Sequence, residues 1–245
     1  MKRALVVGGA NGIGLSLAVT LAGRGEVEQV YIVDKAPVPE RYLTRNMMAY
    51  QFDLTSHDYT FFDRFDDIDT LMITAGFGRL ALFEDIDEAM IPLYFQINTI
   101  PVLRLVKHFY PRLMGAEPFY CGVMVSIAGF MSSPFFSIYG ASKAALKIFI
   151  ESVNVELEKG GSMNRILNVS PGSIKGTAFN QGETDLSQLE ELTVSILSEL
   201  DRRSDLYIPH YDDVYKQVLQ RYHDDFRAEG IHSYEYKQNS GRPKH

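Results

Sequence analysis

Tyr139 and Lys143 stand four residues apart in the run Ile138-Tyr139-Gly140-Ala141-Ser142-Lys143-Ala144-Ala145. On a helix that spacing puts both side chains on one face, a turn apart. An ammonium beside a phenol favours the phenolate, so it is expected to lower the tyrosine pKa from its reference of about 10. A tyrosine tuned in this way exchanges a proton with an alcohol or carbonyl oxygen near neutral pH. Alone, the pair is a common surface pattern. Its surroundings change that reading, because Ser126 closes the apolar run Phe119 to Val125 just upstream. A hydroxyl at the carboxyl end of a parallel strand faces the crevice where open α/β sheets bind ligands.

A second constellation lies at the start of the chain. The short apolar run Ala4 to Val7 leads into Gly8-Gly9-Ala10-Asn11-Gly12-Ile13-Gly14, followed by Leu17 and Leu21 at helical spacing from Ile13. Glycines at 8, 12 and 14 allow a tight turn, close backbone approach to a pyrophosphate and close helix–strand packing. The helix start then offers free N–H groups and a positive dipole end to the phosphates. Asp34, at the end of the next apolar run, follows Gly14 by twenty positions. A carboxylate there accepts hydrogen bonds from an adenosine ribose and repels a 2′-phosphate. Asn11 brings no positive charge to such a phosphate, although the neighbouring Lys35 could. NAD is the expected cofactor, with NADP the less favoured alternative.

These groups need elements to hold them. Apolar runs at Ala4 to Val7, Gln29 to Val33, Met47 to Phe52, Thr70 to Thr74, Phe119 to Ser126 and Arg165 to Val169 read as strands. They are mostly apolar throughout rather than alternating, as in parallel strands buried on both faces. Helical spacing recurs between them, for example at Leu146, Phe149, Val153 and Leu157. The pattern predicts an α/β doubly wound parallel sheet of the Rossmann type, about seven strands with helices on both faces. No repeat or low-complexity linker divides the 245 residues, so one domain over 1–245 is expected. Pro101 lacks the N–H that would bond the Ile97 carbonyl, which predicts a break beside Asn98.

Composition narrows the function classes. With 46% hydrophobic residues the chain has material for a sizeable core, and a net charge of -7 argues against a general nucleic-acid binder. The single cysteine, Cys121, sits in an apolar run and reads as a small buried hydrophobe. The apolar stretch after Met1-Lys2-Arg3 is too short for a signal-peptide core, and no run approaches a membrane span. A cytoplasmic protein is expected, with neither membrane nor nucleic acid as partner. The six histidines show no metal-ligand spacing, and no metal site is expected.

Together these motifs resemble the short-chain dehydrogenase/reductase family from Ala4 to about Pro209. The likeness extends to Asp53-Leu54-Thr55, Ala75-Gly76, the run Pro134 to Lys143, and Asn168-Val169-Ser170-Pro171-Gly172. It implies an oxidoreductase interconverting a secondary alcohol and a ketone, with a small-molecule alcohol or carbonyl as substrate. Tyr139 would be the general acid/base and Ser126 would bond the substrate oxygen. Lys143 would bind the nicotinamide ribose and tune Tyr139, while Asn98 would hold a water linking Lys143 to solvent. Asp53 and Leu54 would flank the adenine. Pro171 and Gly172 would turn the chain under the nicotinamide, with Ile174 and Thr177 at its carboxamide. Gly8, Asn11, Gly12, Ile13, Gly14, Asp34, Ala75 and Gly76 complete the implied cofactor set, and a homodimer or homotetramer is implied as well.

The sequence departs from the family pattern in places. Val7 replaces the usual threonine and Ile73-Thr74 the usual asparagine pair, which is expected to loosen hydrogen bonding in the loop. Thr177 lies one residue late. Phe130, Phe135, Phe136 and Phe179 read equally as substrate-pocket or core residues, and residues 178–204 as a lid. Past a short seventh strand within Asp205 to Pro209, a helix from about Asp212 to Arg227 is expected. The polar tail Ile231 to His245 would cover a neighbouring subunit, cover the active site, or fray. A rival to catalysis is a dinucleotide-binding sensor or scaffold that keeps the fold.

Overall fold

In β1 (Arg3–Val7), Leu5 and Val7 point into one apolar cluster while Ala4 and Val6 point into another. Both faces of the strand are therefore buried, which is why its residues are apolar without alternation. The computed structural model of the chain describes residues 1–177, 179 and 183–240. β1 is followed by β2 (Gln29–Asp34), β3 (Met47–Gln51), β4 (Thr70–Ile73), β5 (Tyr120–Met124), β6 (Arg165–Val169) and β7 (Leu206–Tyr207). The strands pair in parallel in the order β3-β2-β1-β4-β5-β6-β7. The order reverses between β1 and β4, the switch point at which such sheets open a crevice beyond their carboxyl ends.

Helices cover both faces. α1 (Gly12–Ala22) and α5 (Glu190–Asp201) share one, joined by Leu15, Leu21, Ile196 and Leu200 in its core and by a buried Ser16–Thr193 hydroxyl pair at 2.8 Å. α3 (Ile100–Met114) and α4 (Ser137–Lys159) cover the other through Leu105, Phe109, Leu146 and Ile150. Residues 190–201, expected within a lid, thus form a core helix whose buried leucines and isoleucine seal the sheet.

α2 (Met90–Asn98) ends beside the expected break: Thr99 separates it from α3, where Pro101 occupies the first turn and needs no N–H partner. Most strand ends fall within a residue of expectation, and two boundaries differ by more. β5 stops at Met124, and Ser126 lies beyond it as the cap of a 3-10 turn, Ile127–Gly129. The expected helix from Asp212 to Arg227 is broken in two. A π-helical turn, Tyr211–Tyr215, leads into α6 (Lys216–Asp224), and α7 (Phe226–Asn239) then starts anew. Asp225 is the cause, because its extended backbone stops α6 while its carboxylate accepts from Arg227 N and Ala228 N. The tail expected from Ile231 is consequently helical through Asn239, and its residues 241–245 lie outside the described residues. Arg221 fastens α6 to α7 by a forked contact with the largely buried Glu229, at 2.7 and 3.2 Å. Among the described residues no helix is long and apolar enough to cross a membrane.

Candidate active site

Small residues bring α4 to Ser126. A Cβ on Gly140 would lie 2.9 Å from the Ala128 carbonyl, and one on Gly129 would lie 2.8 Å from the Lys143 backbone. The helix therefore meets the 127–129 turn backbone to backbone, and Tyr139 and Lys143 face the turn that Ser126 caps. The Ser126 hydroxyl accepts from Ala128 N at 3.2 Å and lies 3.5 Å from the Pro171 carbonyl. All three side chains are buried: Ser126 and Tyr139 are 8% exposed and Lys143 3%.

Asn98 is fully buried at the carboxyl end of α2. Its amide makes a two-way bond with the Phe77 backbone, donating to the carbonyl and accepting from the N–H, each at 2.9 Å. Its Nδ2 also reaches the Ser142 hydroxyl at 3.2 Å. Just before Phe77, Gly76 runs beneath the cluster, where a Cβ would meet Asn98 Oδ1 at 3.2 Å and Lys143 Nζ at 3.3 Å. Four catalytic candidates separated in sequence thus converge at the carboxyl ends of β4 and β5.

The electrostatics differ from the expectation that Lys143 lowers the pKa of Tyr139. Burial pushes the Tyr139 phenol up to about 12, against an opposing hydrogen bond from Ser126. Burial also pushes Lys143 down to about 8. Its ammonium donates to the Met124 carbonyl at 2.8 Å and stands 5.8 Å from the Tyr139 ring centre. Desolvation of the phenolate outweighs the Ser126 hydrogen bond, and the Lys143 ammonium is turned toward a carbonyl instead. In this conformation Tyr139 is a protonated acid.

The glycine loop lies at the switch point. Gly8 (φ +89°) and Gly12 (φ +52°) adopt a backbone that side-chain-bearing residues disfavour, and a Cβ on Gly8 would collide with Ala75. Thr74 bonds the carbonyls of Val7 and Gly8 at 3.1 and 3.0 Å, so the departures at Val7 and Ile73-Thr74 do not leave the loop untied. Asp34 accepts from Ala10 N and Ala36 N at 3.0 Å each. Lys35 is drawn to Asp53 at 2.9 Å, and Thr55 holds the other Asp53 oxygen through its N–H and hydroxyl. These bonds hold the Asp53 carboxyl down at about 2. Asn11 caps α1 without a side-chain bond, and Ile13 and Gly14 form its first turn. The Leu54 carbonyl accepts from the Tyr59 hydroxyl. Thr177 bonds the Ile174 carbonyl at 3.1 Å and packs against Gly12.

The family profile described as short chain dehydrogenase matches residues 2–187. The chain belongs to the short-chain dehydrogenase/reductase family. An uncharacterised short-chain type dehydrogenase/reductase of Sinorhizobium fredii is 28% identical over 178 residues, 72% of this chain and 71% of that protein. Retinol dehydrogenase 8 of Bos taurus is 25% identical over 232 residues, 89% of this chain and 73% of that one. The fold is shared with a short-chain dehydrogenase of Burkholderia cenocepacia solved with NADP. That match has TM-score 0.77 and 21% identity, and covers 95% of this chain and 99% of that one. A Burkholderia phymatum member solved with NAD matches at TM-score 0.75 and 17% identity, over 93% and 95% of the two chains. The fold therefore occurs with either dinucleotide bound.

In this dehydrogenase/reductase chain, aromatic rings close over Tyr139. Phe136 and Phe179 lie 5.2 and 5.4 Å from its ring. Phe77 stacks on Tyr94 at 4.5 Å in the same apolar cluster. Phe135 instead stacks on Tyr234 of α7, and Phe130 lies under Lys147. Of the four phenylalanines weighed from sequence, two therefore line the site. Two further neighbours escaped sequence reading: Thr184, whose hydroxyl accepts from Gly12 N at 3.0 Å, and Tyr215, whose hydroxyl rests on Gly172. Each contact joins distant parts of the chain, and no local pattern announces it.

Proposed function

We propose that this oxidoreductase interconverts a secondary alcohol and a ketone with NAD, using Tyr139 as general acid/base. The observation that carries the reading is the single buried cluster of Ser126, Tyr139, Lys143 and Asn98 over Gly76. A sensor or scaffold would need the glycine loop but not this cluster.

The loop suits a dinucleotide, because Gly8 and Gly12 keep its backbone open to close approach and α1 starts beneath it. Gly12 and Ile13 would hold the phosphates, Asp34 a ribose, Asp53 and Leu54 the adenine edge, and Ile174 and Thr177 the carboxamide. Asp34 supports NAD over NADP, and the Lys35–Asp53 pair supports it further by neutralising the nearby cation. When bound, the nicotinamide supplies or accepts the hydride.

The remaining chemistry belongs to the chain. Ser126 positions the substrate oxygen against the Tyr139 hydroxyl. In the reductive direction Tyr139, neutral below its raised pKa, passes its proton to that oxygen as the alcohol forms. Lys143 sits one helical turn on, with Asn98 beside it, as the group that reprotonates Tyr139. Phe136 and Phe179 favour a substrate with an apolar body. Exposed Ile100 and Val155 on α3 and α4 support a homodimer or homotetramer. The test is NADH oxidation across a panel of ketones by wild type and Tyr139→Phe. Loss of turnover in the variant supports the assignment, and retained turnover defeats it.

A further inference from the structure

Tyr215 closes the π-helical turn that precedes α6, a local geometry that recurs at functional sites. Its hydroxyl rests so closely on Gly172 that a Cβ there would coincide with it, and ring carbon Cζ would lie 2.7 Å away. The preceding residue, Pro171, offers its carbonyl to Ser126 Oγ at 3.5 Å and to Ile127 N at 3.0 Å. One short loop is thus touched by Ser126 through Pro171 and by Tyr215 through Gly172. Burial, with Tyr236 nearby, pushes the Tyr215 phenol above its ordinary value, so it is neutral and can both donate and accept. Among the described residues nothing hydrogen-bonds its hydroxyl.

The same C-terminal segment also reaches the opposite flank of the site. Tyr234 stacks on Phe135 with ring centres 4.8 Å apart. Lys237 donates to Ser133 Oγ and the Pro134 carbonyl at 2.7 and 2.8 Å, and lies 5.5 Å from the Phe136 ring centre. Phe136 in turn packs on Tyr139. Residues 215–237 therefore touch both loops that flank Ser126 and Tyr139, with the Tyr215 hydroxyl on one and Tyr234 and Lys237 on the other.

We propose that Tyr215 is a specificity-determining residue whose phenol hydrogen-bonds a second oxygen of the substrate, a ketone that also carries a hydroxyl or carbonyl group. The inference rests on Ser126 and Tyr139 holding the reacting oxygen, as in the function proposed above. A hydroxyketone then spans the pocket, with its reacting oxygen on Tyr139 and its second oxygen on Tyr215.

The test is calorimetric binding of acetophenone and 2-hydroxyacetophenone to the protein–NAD+ complex, which cannot pass hydride to a ketone. Wild type is expected to bind the hydroxyketone about five- to tenfold more tightly, the worth of one hydrogen bond. Tyr215→Phe, which keeps the ring and removes the hydroxyl, is expected to abolish that preference and leave acetophenone affinity within about twofold. Tyr139→Phe is expected to retain it. Equal affinity of wild type for the two ketones, or a preference that survives Tyr215→Phe, overturns the proposal. A preference lost in Tyr215→Phe alongside ketone turnover that survives Tyr139→Phe would uphold Tyr215 and defeat the proposed acid/base.

Discussion

Lys143 shows what burial does to a charged side chain. Its ammonium keeps one hydrogen bond, to the Met124 carbonyl, and its pKa falls from 10.5 to about 8. Below pH 8 both folded and unfolded chains hold the proton, and the folded state bears the full cost of the buried charge, on the order of 3 kcal/mol. Between about 8 and 10.5 the unfolded chain binds more protons, so stability rises with pH and the cost disappears. Lys143→Met is therefore expected to be more stable than wild type at pH 7 by about 1–3 kcal/mol, the buried charge being replaced by an apolar chain of similar length. Denaturant melts at pH 7 and pH 9.5 check this, with a smaller gap at the higher pH. The Tyr–Lys spacing was legible in the sequence, but the direction of the tyrosine shift was not. Spacing reveals proximity, whereas the sign depends on how deeply the surrounding helices bury both groups.

At the scale of elements, the site depends on how closely α4 can approach the turn after β5. Gly129 and Gly140 set that distance through backbone contacts that no larger residue leaves intact. Gly129→Ala is expected to push α4 outward, destabilising the fold by about 1–3 kcal/mol. Turnover should fall further, by about 10²-fold, because the displaced helix carries Tyr139 and Lys143 away from Ser126. Melting curves beside kcat measurements separate the two effects. β1, β4, β5 and β6 were legible because burial on both faces leaves nearly continuous apolar runs. The C-terminal helix was misplaced because the interruption at Asp225 looks like one more acid in an acidic run, and its capping role depends on its extended backbone. The lid boundary was misjudged for a related reason: the buried face of α5 is defined only by α1 and the sheet beneath it.

Across the whole molecule, the candidate coenzyme and substrate regions are assembled from distant parts of the chain. Residue contacts such as Gly12 with Thr184 and Gly172 with Tyr215 arise only when the sheet brings its carboxyl-end loops together. Catalytic candidates were readable because their types and local spacing are constrained, while the walls around them are built from long-range contacts. Coenzyme preference is a property of this assembled surface, since Asp34 and Asp53 reach it from successive strands and Asp53 engages Lys35. Fluorescence titration is expected to show NADH binding at least about tenfold tighter than NADPH, as like-charge repulsion at Asp34 would produce. Tighter binding of NADPH would refute that role. The central claim concerns hydride and proton moving together at one buried centre. Its most direct measurement is transfer of deuterium from NADH labelled at C4 into a panel of aryl and alkyl ketones, followed by mass spectrometry. Wild type should yield deuterated secondary alcohol, and Tyr139→Phe should lose at least about 10²-fold of that rate. NADH binding with no deuterium in any alcohol, or undiminished transfer by Tyr139→Phe, would contradict the account.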